Sequence, residues 1–419
     1  MSYQSRVVIT GVGLTSPLGN DLFTLRSGLL EGKCGLRIEP VRYMGDQVLG
    51  FCDFPETKYQ SKKAHRRGTR AGSIAVFCAQ EALRNAISDF DEKWNQQIDK
   101  SRVGVYLGIT EHGNVETEEE VYQLGLNKGD LKLWSHHHNP RTVANSPAGE
   151  VTLNLGITGP HYTLGAACAG GNAGLIQGLQ MLLLGEVDMA IAGGVSESPR
   201  SFGIFAGFQA QGALAIAEFP DQAIKPLDKN RSGTVISEGG CIYVLERLDD
   251  ALARGANILG EIVGHGMNSD AVDYVNPHTE RQMECMQLAL KRAGLNMEEI
   301  DIVSMHATGT GLGDQSEALA IRNLTLGCSK TYINFSKGHL GHAMGAAGAL
   351  ELAGNLPSFE DHLVHPGIGV SELDPECAIE NLIIKNPLKV GSISTILNNS
   401  FGMLGINSCI IVKKYREDA

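Results

Sequence analysis

The sequence predicts an α/β fold in which helices cover a mixed, mostly parallel sheet. Short β-branched runs alternate with helical patterns along the chain, which is typical of parallel strands joined by helices. The 51 glycines follow no collagen period and accompany only 14 prolines, which suits many strand–helix turns. Because 42% of the residues are hydrophobic and the chain has 419 residues, we expect a large interior divided between two domains.

The individual elements follow from local patterns. β-branched and apolar runs predict strands at Val7–Thr10, Val103–Leu107, Met189–Ala192, Cys241–Leu245, Ile258–Val263, Ile302–Met305, Tyr332–Phe335, Ser392–Leu397 and Ser408–Val412. Apolar residues at helical spacing predict helices at Thr69–Ala86, Ala173–Leu184, Arg281–Ala293, Gln315–Leu324 and Met344–Leu356.

The two halves of the chain look alike. Each begins with a strand that ends in glycine, RVVITGVGLTSP in the first and NILGEIVGHGMNSDA in the second. We therefore expect one domain at residues 1–255 and another at residues 256–419. Residues 109–145 show weak periodicity and are interpreted as an excursion from the sheet.

Composition excludes several function classes. With 35 basic and 47 acidic residues, the net charge of −12 argues against nucleic-acid binding. The most apolar stretch, residues 175–194, contains four polar residues, so we expect no membrane span. The nine cysteines form no CxxC pair, and the N-terminus shows no signal-peptide pattern. These features predict reduced thiols in a cytoplasmic protein.

Cys168 is a candidate nucleophile. It lies between an apolar run and a helical pattern in HYTLGAACAGGNAGLIQGLQ, which predicts a strand–turn–helix elbow. At a helix N-terminus the dipole stabilises a thiolate, and backbone N–H groups can receive an oxyanion. The alternative is a small buried cysteine that packs as an apolar residue.

Two histidines also follow predicted strands. His306 begins HATGTGLGD, and His342 lies in SKGHLGHAMGAAGALELAG together with Lys337 and Glu351. Open α/β sheets bind ligands at such strand ends, although each histidine alone could be structural, and Lys337 and Glu351 could be ordinary surface charges. A Cys and two His at three strand ends fit nucleophilic acyl transfer better than a metal site, for which closer ligand spacing is expected.

Six blocks, in order, resemble the β-ketoacyl-acyl-carrier-protein synthases, in particular the elongating KAS I/II type of thiolase-fold condensing enzyme. They are RVVITGVGLTSPLGN, NSPAGEVTLNLGITGPHYTLGAACAGGNAG, KPLDKNRSGTVISEGGCIYVLE, HATGTGLGDQSEA, SKGHLGHAMGAAGALE and ILNNSFGMLGIN. The third resembles the family pattern PFDxxRxGFVxGEGAG. The resemblance covers essentially the whole chain and implies two thiolase-like halves, layered αβαβα. A histidine at position 342 resembles the elongating class, since initiating synthases carry Asn there.

The resemblance implies a two-stage reaction with a carrier protein as partner and no metal or bound cofactor. Cys168 would take an acyl group as a thioester, and malonyl on a second carrier would lose CO2 and attack it. His306 and His342 would donate hydrogen bonds to the enolate oxygen. Lys337 and Glu351 would fix the charge and orientation of the two imidazoles. Thr308 and Thr310 would bind the pantetheine arm, and Phe401 and Met403 would bind substrate. The N–H groups of Cys168 and Met403 would form the oxyanion hole.

A basic run stands out against the acidic composition. We expect it to dock an acidic carrier protein, although a solvated helix start is the alternative. Its residues are Lys62, Lys63, His65, Arg66, Arg67 and Arg70.

The chain departs from the family pattern at positions that bear on substrate. The gating loop, usually GFGG, carries Met403 and Leu404, and Ile406 replaces a usual Thr. The elbow reads ACAGG, and Glu111 stands where an apolar residue commonly lines the acyl pocket. An unpaired carboxylate facing a saturated chain would cost several kcal/mol. We therefore expect that Glu111 pairs with His112 or another group, that it points elsewhere, or that the acyl chain carries something polar.

This reasoning favours a specialised pathway, with polyene or aryl-primed chains, over housekeeping fatty-acid elongation. The family's acyl pockets meet at a two-fold interface, so a homodimer is expected. The alternatives are the catalytic chain of a heterodimer with a chain-length partner and a non-catalytic scaffold of the same fold. The complete set of five implied catalytic residues argues against a scaffold.

Overall fold

The computed structural model describes residues 5–417. Within these residues the strands are β1 (Val7–Thr15), β2 (Arg37–Val41), β3 (Gly45–Leu49), β4 (Val103–Ile109), β5 (His161–Gly165), β6 (Met189–Ser196), β7 (Gly239–Arg247), β8 (Gly260–Ser269), β9 (Ile302–Ser304), β10 (Tyr332–Asn334), β11 (Leu363–Val364), β12 (Leu388–Lys389), β13 (Thr395–Gly402) and β14 (Ile406–Lys413).

The α-helices of the same residues are α1 (Leu22–Leu30), α2 (Lys62–Arg67), α3 (Arg70–Ala86), α4 (Phe90–Gln96), α5 (Asn114–Leu126), α6 (His138–Thr142), α7 (Ser146–Leu155), α8 (Gly170–Leu183), α9 (Phe202–Ala210), α10 (Leu248–Ala253), α11 (Thr279–Ala293), α12 (Gly311–Leu324), α13 (Lys337–Leu340), α14 (Ala347–Asn355) and α15 (Ser358–Asp361). Each strand and helix predicted above overlaps one of these elements. Residues 110–145 leave the sheet, as predicted, but form α5 and α6.

Ten strands form one mixed sheet, in the order β10-β9-β13-β14-β8-β1-β7-β6-β4-β5. The outer pairings, β10–β9–β13 at one end and β6–β4–β5 at the other, are parallel, whereas the central pairings are antiparallel. Only two residue pairs join β1 to β8, where the two sets of five strands meet. The division of the chain at residue 255 stays a prediction, although β7 and β8 lie on either side of it.

Five layers share three large apolar cores, one on the outer face of each set of strands and one around the helices between the two sets. Helices α3 and α7 cover the outer face of β1, β4, β6 and β7, and α11 and α12 cover the corresponding face of the second set of strands. Helices α8 and α14 pack against each other between the two sets and contact strands of both. The predicted α/β fold with αβαβα layering is therefore confirmed. No helix among residues 5–417 is long and apolar enough to span a membrane.

Close backbone approach fixes the position of α8, the helix that follows Cys168. Gly108 in β4 packs directly against Gly170, the first residue of α8, and a Cβ on Gly108 would lie 1.8 Å from the Gly170 carbonyl oxygen. A side chain there cannot be accommodated by rotating a neighbour, because the obstacle is backbone. The glycine thus sets how near the elbow at Cys168 lies to the sheet.

We expect Gly108→Ala to lower the free energy of unfolding by about 3 kcal/mol or more, because β4 and α8 would have to separate. Urea denaturation measures this loss. Gly207→Ala in α9 is the matched control: a Cβ on Gly207 meets nothing within 4 Å, so we expect a gain of about 0.5–1 kcal/mol. Equal stability of the two variants would contradict the packing described here.

Candidate active site

Three turns bring the sulfur of Cys168 together with one ring nitrogen each of His306 and His342. These three atoms all lie within 4.8 Å of one another, and all three residues are buried. His342 Nε2 lies 3.0 Å from Cys168 Sγ, and the two imidazole rings meet edge to face with their centroids 5.2 Å apart. The predicted cluster of one thiol and two imidazoles is therefore present in the structure.

Cys168 lies in a 3-10 turn between β5 and α8, as the elbow pattern predicts. The preceding residue, Ala167, has φ +45°, which is a strained conformation for a residue with a side chain. Ser400 in β13 donates a hydrogen bond of 2.7 Å from its hydroxyl to the Cys168 carbonyl. Gly402 packs so closely that a Cβ there would lie 3.1 Å from the Cys168 nitrogen.

The loop that carries His306 follows β9 and is held by a buried carboxylate. Glu317 accepts hydrogen bonds of 2.8 Å from the backbone N–H groups of both His306 and Ala307. Ala307 has φ +37°, so this turn is also strained. Glu317 also accepts a hydrogen bond of 3.2 Å from the Asn399 side chain in β13. The second set of strands therefore fixes where His306 lies.

A buried lysine defines the tautomer of His306. The Lys337 ammonium, 1% exposed, donates hydrogen bonds to Glu351 and to the His306 carbonyl, and its nitrogen lies 3.2 Å from His306 Nδ1. An ammonium group has three protons and no lone pair, so it donates at all three contacts. Nδ1 of His306 is therefore an acceptor, and the ring proton of the neutral imidazole is at Nε2.

His342 has the same tautomer for a different reason. The backbone N–H of Met344 donates a hydrogen bond of 3.3 Å to His342 Nδ1. Nδ1 is again the acceptor, which leaves the proton at Nε2, the atom next to the sulfur. Two backbone hydrogen bonds fix His342. Its N–H donates to the Val235 carbonyl at 2.7 Å, and its carbonyl accepts from the Ser237 N–H at 2.9 Å.

These tautomers decide what the cluster can do. Both rings present an N–H rather than a lone pair at Nε2, so they can donate hydrogen bonds to an oxygen anion at the sulfur. A metal ion requires lone pairs from both rings, and neither Nε2 offers one in this arrangement. The donor set therefore does not fit a metal ion, despite its short internal distances.

Burial determines the protonation states of Cys168, His306 and His342. It lowers the pKa of both His306 and His342 well below the usual value, and the nearby Lys337 ammonium acts in the same direction. Both rings are thus neutral near pH 7. Burial also raises the pKa of the Cys168 thiol to about 12, which Lys337 opposes and the Glu111 carboxylate reinforces. Burial therefore outweighs the thiolate-stabilising helix N-terminus that the sequence suggests.

A cavity of about 420 Å³ leads from the surface to Cys168. Four of the predicted substrate-binding residues line it together with the cluster, namely Thr308, Thr310, Phe401 and Met403. The hydroxyl groups of Thr308 and Thr310 lie 2.9 Å apart, and the Phe401 ring lies 6.1 Å from that of His306. The cavity therefore has polar groups along its wall and an aromatic ring beside the imidazole.

Glu111, the fifth predicted substrate-binding residue, is not among the described residues that line this cavity. Its carboxyl group accepts a hydrogen bond from the Ser198 hydroxyl. Burial raises the pKa of Glu111 to about 7, and the hydrogen bond from Ser198 partly opposes this shift. The carboxylate is therefore paired, with Ser198 as the partner rather than His112, whose Nδ1 lies 3.3 Å from a carboxylate oxygen of Glu197.

The basic run divides into two parts. Four side chains of α2 are exposed, namely Lys62, Lys63, Arg66 and Arg67. The prediction for Arg70 is wrong, because its guanidinium is only 10% exposed and pairs with Glu56 and Glu238. Arg70 begins α3, where the chain turns inward. A charge run in the sequence does not show where the exposed helix ends.

Sequence reasoning missed three residues that hold the site. Ser400 lies in the motif ILNNSFGMLGIN and Glu317 in the motif HATGTGLGDQSEA. A polar residue within a motif that is otherwise buried could have indicated a structural role for each. Arg141 carries no local signal: its guanidinium donates hydrogen bonds to the carbonyls of Arg66 and Arg67 at the end of α2. This long-range contact becomes visible only in the folded chain.

Comparison with known proteins agrees with this geometry. The N-terminal domain of β-ketoacyl synthases matches residues 4–251, and their C-terminal domain matches residues 259–371. The 3-oxoacyl-[acyl-carrier-protein] synthase 2 of Staphylococcus aureus strain COL is 33% identical over 99% of this chain and all of its own length. The chain belongs to the β-ketoacyl synthase family.

Two solved structures have the same fold. The ishigamide ketosynthase/chain length factor superposes with a TM-score of 0.90 at 29% identity, covering 99% of this chain and all of that one. A type II polyketide ketosynthase bound to a hexaketide, in complex with its acyl-carrier protein, superposes with a TM-score of 0.86 at 25% identity, covering 98% and 100%.

Because the pKa of the Cys168 thiol is about 12, we expect its alkylation by iodoacetamide to accelerate about tenfold per pH unit between about pH 7 and pH 9. Peptide mapping by mass spectrometry measures the rate at this cysteine. A cysteine peptide treated in parallel is the control, since its rate levels off near a pKa of about 8.5. A plateau at Cys168 below pH 8 would contradict the burial argument.

Proposed function

We propose that this protein is a ketosynthase that joins an acyl group held on Cys168 to a malonyl group held on a carrier protein. The observation that carries the proposal is the pair of neutral imidazoles beside the sulfur, each of which carries its proton at Nε2. Such donors stabilise the enolate that forms when malonyl loses CO2. The proposed reaction requires no metal ion or bound cofactor.

In the first stage Cys168 attacks the thioester carbonyl of an acyl-carrier. The acyl–sulfur bond to the carrier breaks, an acyl–Cys168 bond forms, and the carrier thiol leaves with the proton of the cysteine. The N–H groups of Cys168 and Met403 hold the carbonyl oxygen while it is negative. Because burial keeps the resting thiol protonated, the N–H of His342, 3.0 Å from the sulfur, supports negative charge there as it develops.

In the second stage malonyl-carrier enters the cavity with its thioester oxygen between His306 and His342. The bond to the carboxyl carbon breaks, CO2 leaves, and the electron pair forms an enolate that both imidazoles stabilise by hydrogen bonds. The enolate carbon attacks the acyl–Cys168 carbonyl, and the sulfur leaves as thiolate. Lys337 and Glu351 position the imidazoles, and Thr308 and Thr310 bind the pantetheine arm.

The exposed side chains of α2 are the proposed docking surface for an acidic carrier protein. They carry four positive charges, and no carboxylate among residues 5–417 forms an ion pair with them. Arg141 stabilises the end of the helix. The carrier complex of the polyketide ketosynthase similar to this chain supports a carrier as partner. We place the reaction in the cytoplasm, which the nine free cysteines support.

The proposed substrate belongs to a specialised polyene or aryl-primed pathway. Glu111, which accepts a hydrogen bond from Ser198, acts electrostatically on the Cys168 thiol, so this buried carboxyl lies near the site that holds the acyl group. A buried carboxyl beside a fully saturated chain gains nothing from that chain, whereas a polar group on the acyl chain would offset the cost of burying it. The similarity to a ketosynthase of type II polyketide synthesis supports a pathway other than fatty-acid elongation.

One alternative for the pathway and one expectation for the assembly have support of their own. Housekeeping fatty-acid elongation is favoured by the similarity to the Staphylococcus aureus synthase. Assembly with a related chain, as a homodimer or as a heterodimer with a chain-length partner, is favoured by β5, which ends the ten-stranded sheet with Tyr162 48% exposed. Native mass, with and without a candidate partner, distinguishes the two assemblies.

We expect Cys168→Ala to abolish acyl transfer from acyl-carrier, because no sulfur is left to form the thioester. Cys168→Gln should retain decarboxylation of malonyl-carrier, since its amide carbonyl resembles an acylated cysteine. Intact-protein mass spectrometry measures the acyl adduct, and CO2 release measures decarboxylation. An acyl adduct on Cys168→Ala would refute the proposed mechanism.

The double variant Arg66→Glu/Arg67→Glu should raise the apparent KM for carrier protein about tenfold or more and weaken its salt dependence, with little change in kcat. Steady-state kinetics at several salt concentrations measure this. The control is Lys413→Glu/Arg416→Glu, two exposed basic residues at the C-terminal end of the described chain. If both double variants raise KM equally, net charge rather than α2 determines docking.

The substrate class is tested by a panel of saturated, polyunsaturated and aryl acyl-carriers. We expect the native enzyme to prefer the unsaturated or aryl chains, and Glu111→Leu to shift preference towards saturated ones, because it removes the buried carboxyl. Ser198→Ala is the matched control, since it keeps the carboxyl and removes only its partner. A clear native preference for saturated C12–C14 chains would overturn the proposal in favour of fatty-acid elongation.

A further inference from the structure

One polar group in the cavity has no partner. The hydroxyl oxygen of Thr234 is buried and forms no hydrogen bond with any described residue, and Thr234 is 1% exposed. Thr234 lines the same cavity as Cys168, His306 and His342. A buried hydroxyl without a partner costs roughly 1–3 kcal/mol, so it calls for an explanation.

The backbone holds Thr234 rigidly in this position. Its N–H donates a hydrogen bond of 2.8 Å to the Ala213 carbonyl, and its own carbonyl accepts one of 2.9 Å from Ala215. The next residue, Val235, accepts a hydrogen bond of 2.7 Å from the His342 N–H. Thr234 therefore precedes the residue that holds the backbone of His342, and it cannot move away from the cavity without breaking these bonds.

The two substrates of the proposed reaction contain few groups that could satisfy this hydroxyl. In that mechanism the thioester oxygen of the acyl group binds the N–H groups of Cys168 and Met403. The enolate oxygen binds the two imidazoles, and the pantetheine amides bind Thr308 and Thr310. One strong acceptor is left without a donor, the carboxylate of the malonyl group.

The lining residues offer this carboxylate no free cation. Arg231 is the basic side chain among the described lining residues, and its guanidinium binds Asp374 and the carbonyls of Thr310 and Gly311. Asn407 donates to Asn268 and Asp270, and Gln282 accepts a hydrogen bond from Ser316 on its amide oxygen. Gln211, Ser232 and Asn276 are exposed. Among the described lining residues, Thr234 carries the buried hydroxyl that has no partner within the protein.

We infer that the Thr234 hydroxyl donates a hydrogen bond to the carboxylate of malonyl-carrier and positions it for loss of CO2. The inference rests on the proposed condensation and adds a residue specific to malonyl. A cation at this place would stabilise the carboxylate in the ground state and so raise the activation barrier to loss of CO2. A neutral hydroxyl orients the carboxylate and raises this barrier less. The family pattern PFDxxRxGFVxGEGAG has Phe where this chain has Thr234, so the hydroxyl is a feature of this sequence.

Thr234→Val removes the hydroxyl and keeps the β-branched shape, and Thr234→Ser keeps the hydroxyl. We expect Val to raise the KM for malonyl-carrier about ten- to hundredfold and to leave the rate of acyl transfer to Cys168 unchanged. Ser should stay within about threefold of the native enzyme in both measurements. Thermal unfolding of both variants checks that the fold is retained.

The inference is overturned if Val leaves the KM for malonyl-carrier unchanged, if it instead slows acyl transfer, or if Ser is impaired as much as Val. Its failure is distinguishable from failure of the proposed function. If the native enzyme releases no CO2 from malonyl-carrier, the condensation itself is refuted. If it releases CO2 and Val binds malonyl-carrier equally well, only the assignment of Thr234 fails.

Discussion

The chemistry of this site depends on a single buried ammonium group. Lys337 has no access to solvent, and its three protons are all used, on Glu351 and on two atoms of His306. A buried charge is tolerated only when it is paired and fully hydrogen-bonded, and this geometry meets both conditions. Burial lowers the pKa of His306, the ammonium adds to this shift, and the hydrogen bond to Nδ1 leaves the one ring proton at Nε2. The charge of Lys337 thereby makes a neutral imidazole, His306, a hydrogen-bond donor at its Nε2.

Backbone strain surrounds the same three side chains. Ala167, Ala307 and Met344 all have positive φ, and each lies within two residues of Cys168, His306 or His342. Such conformations persist only where neighbouring structure holds them. Here β13 contributes to that support: Ser400 holds the cysteine turn, and Asn399 reaches the carboxylate behind His306. The cluster therefore depends on contacts between both sets of strands.

The sequence was sufficient to predict the elements that carry strong local signals. Cys168, His306 and His342 could be identified because each lies in a glycine-rich turn that follows an apolar or β-branched run, and parallel strands bring such turns together. The start of β13 was placed too early, and its end at Gly402 was missed, because Asn398, Asn399 and Ser400 are buried but polar. Hydrophobic periodicity does not register a strand whose buried residues pair with other polar groups.

Other features could not be predicted because they depend on contacts between distant parts of the chain. The burial of Arg70 follows from Glu238, 168 residues away, which pairs with it. The tautomers of the two imidazoles follow from donors that only the folded chain supplies. Burial, rather than the helix N-terminus, decides the pKa of the cysteine, and burial is a property of the whole fold.

The central claim is that both imidazoles are neutral and carry their proton at Nε2. Nitrogen-15 NMR of histidine-labelled native enzyme at pH 7 measures this directly, with His306→Gln and His342→Gln variants to assign the resonances. The account predicts, for each ring, a protonated Nε2 and an Nδ1 without a proton. A proton at Nδ1 of either ring, or a doubly protonated ring, would contradict it.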